Sequence, residues 1–421
     1  MIRRRSMTYV PYLALVLCLV SLTACCTTGE HVMMEDPQEP YPLASPPTVG
    51  QIVHLATGVP VSAAQMLAVA ADSRIVYVGE THDNPASHRL ELQLLQGLAE
   101  RHPGGVALGM EMFVRSQQPV LDRWVAGLLD EKAFLRESRW YDTWRMDFAH
   151  YRDLLNFARE RHIPVIALNA EKELVAALRS RTPDQLDPGQ RAQLPELDLG
   201  DPYQRAMVQA IFGGHSHGEM GLEGFVRAQT LWDETMAESV ARYLMSPAGT
   251  DKHMLVVAGG NHISYGFGIP RRVFRRLPTS YTLVGGHEIE IPPDKRDRLM
   301  DVTVPEFPMR PYDFMAYFAY EDLPKSGVTL GVMTEPGPGG RGIAVKEVVP
   351  GSIAERAGLR PGDLLLGLDN DPLAEYFDLI YALKRRHPGD KGTLRVERQG
   401  RDMKLDVLFR DEAKGHPTGT P

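Results

Sequence analysis

The chain has 421 residues, enough for two or three domains of about 100–200 residues each. Apolar residues make up 43% and charged residues 24%, a balance of folded domains rather than disorder, and the net charge of −8 excludes a general nucleic-acid binder, which needs a basic face. The three cysteines, Cys18, Cys25 and Cys26, all precede residue 27, which excludes a disulfide framework or a cysteine metal site in the rest of the chain. Any metal there must be held by His, carboxylate, Tyr or Met.

Taken in order, Arg3, Arg4 and Arg5 form a positive start, and Tyr9 to Leu22 is an apolar run too short for a comfortable spanning helix. The run ends in Leu22-Thr23-Ala24-Cys25, which resembles the lipobox of bacterial lipoproteins. That resemblance implies a signal peptide over 1–24, cleavage before Cys25 and a diacylglycerol on its thiol. Cys26, rather than Asp, in the next position implies an outer-membrane destination facing the periplasm. Residues 25–48, rich in proline, are expected to form a tether.

A β-branched run, Arg74 to Glu80, predicts a buried strand, and Asp83-Asn84-Pro85 predicts the start of the helix that follows. Further strands are expected at Val106–Phe113, Ile163–Asn169, His253–Gly259 and Tyr281–Gly285. Helices are expected from Pro119, from Asp147, over Glu171–Leu178, and over Tyr203–Tyr243 with a break at Gly213-Gly214. This alternation predicts an α/β domain over 49–290, with a largely parallel sheet flanked by helices. Residues 291–324 read as a linker, 325–410 as a small β-rich domain and 411–421 as a tail.

In an open parallel sheet, ligands bind beyond the carboxyl ends of the strands. Glu80 and His82, Glu111, Asn169 and Glu171, and Asn261 and His262 follow successive predicted strands. Two segments share the form Gly-x-x-His, Gly79–His82 and Gly259–His262, in which glycine permits a tight turn and close approach of a ligand. His82 and His262 with Glu111 have the chemistry to hold a divalent metal, or to act as a base with a carboxylate orienter. Met110 and Met112 are expected on the opposite face of their strand from Glu111.

The segments Gly79–Asn84, Gly109–Phe113, Ala228–Asp233 and Gly259–Pro270, in this order, resemble the ChaN-type haem-binding lipoproteins of the Tiki/TraB-like superfamily, over roughly residues 50–290. The resemblance implies haem as cofactor, an iron-uptake or haem-storage role in the cell envelope, and a homodimer enclosing stacked haems ligated by Tyr and His. Tyr265 is the candidate tyrosine, since a phenolate suits ferric iron. Glu80, His82, Glu111 and His262 complete the expected cofactor site. His215 and His217, in a Gly/His-rich helix break, are additional candidate ligands. The wider superfamily implies a second reading, a metal-dependent hydrolase or peptidase using His82, Glu111 and His262.

Residues 325–410 resemble a PDZ domain of the protease-associated kind, on Val328–Val332, Gly342–Val345, Val348–Ala354 and Ala357–Leu365. The resemblance implies that an extended or C-terminal peptide adds to a sheet edge beside Leu330, Gly331 and Val332. A third reading is a scaffold whose first domain has lost its ligand.

Overall fold

The computed structural model describes residues 43, 45–213, 221–298, 302–323 and 327–410. Cys25, His215 and His217 lie outside the described residues, as does the N-terminal apolar run. Among the described residues no helix is long and apolar enough to cross a membrane.

The first unit is built on eight strands: β1 (Ile52–His54), β2 (Val59–Val61), β3 (Ile75–Glu80), β4 (Val106–Val114), β5 (Val165–Asn169), β6 (His253–Gly259), β7 (Tyr281–Glu290) and β8 (Phe314–Ala319). Their order across the sheet is β2-β1-β8-β7-β3-β6-β4-β5. All neighbours from β8 to β5 run parallel, and β1 and β2 add antiparallel at one edge. The sheet is therefore largely parallel with helices on both faces, as the β-branched runs predict.

Strand periodicity sorts side chains between the two faces. Val76 and Val78 of β3, Leu255 and Val257 of β6, and Met110 and Met112 of β4 point to one core, closed by helices Pro85–Arg101, Gln118–Val125 and Arg152–Glu160. Ile75 and Tyr77, and Met254, Val256 and Ala258, point to the other, closed by helices Leu222–Met245 and Ile269–Arg276. Helix Pro85–Arg101 starts where the sequence predicts: the Asn84 side chain accepts from the Ala86 N–H, and Pro85 occupies the first turn.

Two differences from the sequence reading concern the stretch after residue 280. β7 runs to Glu290, and residues 314–319, expected within a linker, are a full strand paired to both β7 and β1. The first unit thus extends into the expected 291–324 linker, to Ala319. Short proline-punctuated segments hide a strand until its partners are known, because pairing, not local sequence, stabilises it.

The second unit has β9 (Val332–Pro336), β10 (Ile343–Val348), β11 (Leu364–Leu368), β12 (Asp371–Pro372), β13 (Lys391–Arg398) and β14 (Arg401–Leu408), all antiparallel, in the order β14-β13-β11-β10-β9 with β12 beside β11. Its helix Tyr376–Lys384 carries Asp378, which binds Lys132 (2.7 Å) and Arg136 (2.8 Å) of the first unit.

One buried charge network ties the first unit's second face together. Glu234 is fully buried and meets Arg272 (3.2 Å), Arg275 (2.9 Å) and Arg276 (2.7 Å) across the helix pair. Removing the acid leaves a buried guanidinium without its counter-charge. Glu234→Ala is expected to cost about 3–5 kcal/mol in urea unfolding; a loss within about 0.5 kcal/mol would show that the arginines find compensation elsewhere.

Candidate functional site

β3 and β6 are neighbours, in register from Ile75↔Met254 to Glu80↔Gly259. After β3 the chain turns to one face of the sheet, into helix Pro85–Arg101. After β6 it turns to the other, into helix Ile269–Arg276. In a sheet of this kind the place for a ligand is the crevice between their carboxyl ends, where neither connection covers the sheet.

Glu80, two residues beyond Val78, points to the face covered by helix Pro85–Arg101. It is fully buried, and its Oε1 accepts from the Tyr151 hydroxyl (2.8 Å) and pairs with His82 Nδ1. His82 keeps 39% of its side-chain surface exposed, with its ring edge-on to Trp144 at 5.0 Å. Its Nδ1 is occupied by Glu80, so Nε2 is the nitrogen available at the mouth.

Glu111 lies on the opposite face of β4 from Met110 and Met112, beyond the last residue paired with β6. Its Oε2 accepts the Gly259 N–H at 2.7 Å, and its Oε1 lies 3.5 Å from His262 Nε2. His262 Nδ1 bonds Asp233 Oδ1 at 2.6 Å, and Asp233 is held in turn by Gln204. Gly259 is the hinge of this arrangement: a Cβ there would stand 3.0 Å from the His82 ring and 3.6 Å from Glu111. At Gly79 a Cβ would meet the Tyr312 hydroxyl at 2.7 Å and the Gly260 Cα at 3.0 Å. Both Gly-x-x-His glycines are therefore required by neighbouring protein atoms.

The structure thus brings Glu80, His82, Glu111 and His262 to one crevice. Asn169 supports it from behind by donating to the Glu111 carbonyl (3.0 Å), whereas Glu171 accepts the Ser116 N–H and Asn261 is exposed. Tyr265 is half-buried with a left-handed backbone (φ 58°), and its ring packs on Phe267 and Phe307. Burial raises its hydroxyl above the usual tyrosine value, which opposes a free phenolate. Both nitrogens of His262 face carboxylates, Glu111 and Asp233, so neither is open to a ligand. Among the described residues the carboxylate–histidine set whose ligand atoms all fall within 4.8 Å is Glu80, His88 and Glu91, not His82, Glu111 and His262.

Sequence reading missed Asp233, Tyr151, Tyr312 and Glu91. Asp233 lay inside a quoted segment, but its partner was 29 residues away. Glu91 had a local signal: it is a charged residue on the inward stripe of helix Pro85–Arg101 with Leu94, Leu95 and Leu98.

The crevice separates its titratable groups. Burial alone would lower His262, but Glu111 and Asp233 outweigh it and hold the imidazole up at about 9. Burial opposes His82 likewise, and Glu80 above all raises it to about 9. Burial, with Glu91 beside it, pushes Glu80 up to about 6; burial pushes Glu91 up to about 7. Burial lowers His88, and it takes His150 down to about 4.

The family model described as haem-binding uptake, Tiki superfamily, ChaN matches residues 66–273, and a PDZ-domain model matches 344–398. The chain is 34% identical over 67 residues to a probable periplasmic serine endoprotease, DegP-like, of Hahella chejuensis, covering 16% of this chain and 14% of the protease. It is also 34% identical over 69 residues to the periplasmic pH-dependent serine endoprotease DegQ of Escherichia coli, covering 16% and 15%. The chain therefore spans only about one seventh of these curated relatives. A solved structure of Campylobacter jejuni ChaN, described as binding haem cofacially, aligns with 14% identity and a TM-score of 0.49, over 63% of this chain and 95% of that one.

With folded values near 9 against an ordinary value of about 6.5, His82 and His262 hold protons that the unfolded chain releases. Their stabilisation is complete below about pH 6.5 and is lost as pH rises through 9. His88 and His150 act in the opposite sense, but only below about pH 6.5. The melting midpoint is therefore expected to fall between pH 7 and 10, with a shallower fall in Asp233→Asn; an identical slope would show that Asp233 does not hold the His262 proton.

Proposed function

Residues 66–273 of this chain belong to the ChaN haem-binding family of the Tiki superfamily and are followed by a PDZ domain, and from this premise we propose that the protein captures haem at the β3–β6 crevice and a polypeptide partner at the PDZ groove. The carrying observation is His82: an accessible imidazole whose other nitrogen is locked by a buried carboxylate.

The donor set fits haem. A carboxylate on Nδ1 fixes ring orientation and increases the basicity of Nε2, which favours ferric iron. Trp144 supplies an apolar edge beside it. Bound haem would supply the iron whose uptake or storage is the protein's task. His82 would hold it; Glu80 and Tyr151 would orient His82; Glu111, Asp233 and His262 would keep the opposite wall rigid and charged. A ligand held through one half-exposed histidine leaves its far face open, and we assign that face to a second copy of the chain. The hydrolase reading has less support, because both His262 nitrogens are already engaged by carboxylates.

The PDZ groove follows from backbone direction. The Leu330 and Gly331 carbonyls accept from the Ala354 (2.8 Å) and Val349 (3.0 Å) N–H groups, inside the domain. In each peptide unit the following N–H points the other way, so the Gly331 and Val332 N–H groups face the groove. Gly331 has φ 79°, and a Cβ there would stand 2.3 Å from Ser352 Cβ, so only glycine permits the turn. The groove encloses about 540 Å³ between this loop and Leu379, Ile380 and Leu383. It suits an extended chain whose terminal carboxylate sits on the N–H groups and whose last side chain is apolar.

Lipid anchorage at Cys25, an outer-membrane location facing the periplasm and a role in iron uptake or storage belong to the same proposal. They rest on the Leu22–Cys25 segment and on the family.

Hemin titrated into the purified protein is expected to give a saturable Soret shift, weakened about tenfold or more in His82→Ala; a shift unchanged by that substitution would remove His82 from the site. Peptides with apolar C-termini are expected to bind in fluorescence titrations and to lose about tenfold or more in affinity on Ile380→Glu. Equal binding of peptides with amidated C-termini would overturn the carboxylate-loop assignment.

A further inference from the structure

Behind His82 lies a second cluster that shares Glu80 with the haem mouth but adds two residues, His88 and Glu91, that haem capture does not use. Helix Pro85–Arg101 turns His88 and Glu91 inward at a spacing of three residues, onto Glu80 at the end of β3. All three side chains are buried, Glu91 completely.

The His88 ring is oriented by a group that can only accept. Its Nε2 lies 3.0 Å from the His82 backbone carbonyl, so Nε2 carries a hydrogen. Its Nδ1 faces Glu91 Oε2 at 3.2 Å and Glu80 Oε2 at 3.6 Å. Meanwhile Glu80 Oε2 and Glu91 Oε1 have no hydrogen-bond partner. Carboxylate oxygens that face one another in a dry interior need a cation or a proton between them.

We propose that Glu80, His88 and Glu91 form a binding site for one divalent first-row metal ion, of the zinc, manganese or iron(II) class, separate from the haem mouth. Their ligand atoms lie within 4.8 Å of one another, so a small inward movement brings them to bonds of about 2.0–2.2 Å. Two carboxylates and a dication balance in charge, and an N,O,O donor set suits that class of ion. The surroundings match those of a metal histidine, whose second nitrogen characteristically donates to a carbonyl. Glu80 is fixed in the same way, its far oxygen accepting from Tyr151 (2.8 Å). Because Glu80 reaches the ion site through Oε2 and His82 through Oε1, the ion would brace the residue that orients the haem-facing imidazole.

The test needs no haem. The full chain is produced without hemin, with zinc, manganese or iron(II) supplied, dialysed, and assayed for metal by elemental analysis. Stoichiometric retention is expected in the wild type and in His262→Gln, with retention about tenfold lower or less in His88→Gln and Glu91→Gln. Chelation should lower the wild-type melting midpoint by about 5 °C or more, and re-addition of the same ion should restore it. The wild-type measurement decides the matter even if a variant fails to fold. A wild-type chain that retains no metal, and whose midpoint ignores all three ions, overturns the proposal and assigns a shared proton to the cluster. Metal lost equally in His262→Gln would place the ion at the mouth and overturn it as well.

Discussion

The parallel pairing of β3 with β6, carried to the last residue of each strand, is the constraint on which the site depends. In-register pairing sets Glu80 opposite Gly259, and the chain then leaves the two strands toward opposite faces of the sheet. The crevice between them is a consequence of topology. Side-chain alternation along β3 and β4 then decides which groups enter from which side: Glu80 from under helix Pro85–Arg101, Glu111 from the other face. Gly259 is where the two sides meet, its missing side chain making room for both the His82 ring and the Glu111 carboxylate.

Around that crevice three histidines are matched to carboxylates: His82 to Glu80, His262 to Glu111 and Asp233, His88 to Glu91. Buried pairs of this kind contribute little net stability beyond what an apolar packing would give, but they fix rings in one orientation. His262 is held at both nitrogens and acts as a wall. His82 is held at one and presents the other. This difference, rather than the shared Gly-x-x-His form of the two segments, is what the proposal uses to choose His82 as the histidine that meets a ligand.

The strand that carries each site residue was legible in the sequence, because a buried parallel strand reads as a continuous β-branched run and its end is marked by glycine. The sequence alone therefore places His82, Glu111 and His262 together. What escaped were the partners contributed by helices. Asp233 and Tyr151 reach the site only because helices Leu222–Met245 and Arg152–Glu160 pack on the sheet at particular angles, and no local pattern encodes that packing. Glu91 was legible in principle as a charge on an apolar stripe. Strand β8 escaped for a different reason: it gains its stability from β7 and β1, and its own sequence is short and flanked by prolines.

The PDZ unit adds a second binding surface by backbone chemistry alone, with Gly331 supplying the conformation that turns two N–H groups outward. Its groove helix is linked to the first unit through Asp378, which meets Lys132 and Arg136. The most direct test of the central claim is axial-ligand rescue at the crevice. Hemin bound to the wild type should show an imidazole-ligated ferric signature in electron paramagnetic resonance. His82→Gly should lose that signature and regain it when imidazole is added. A signature that persists in His82→Gly without added imidazole would contradict the account.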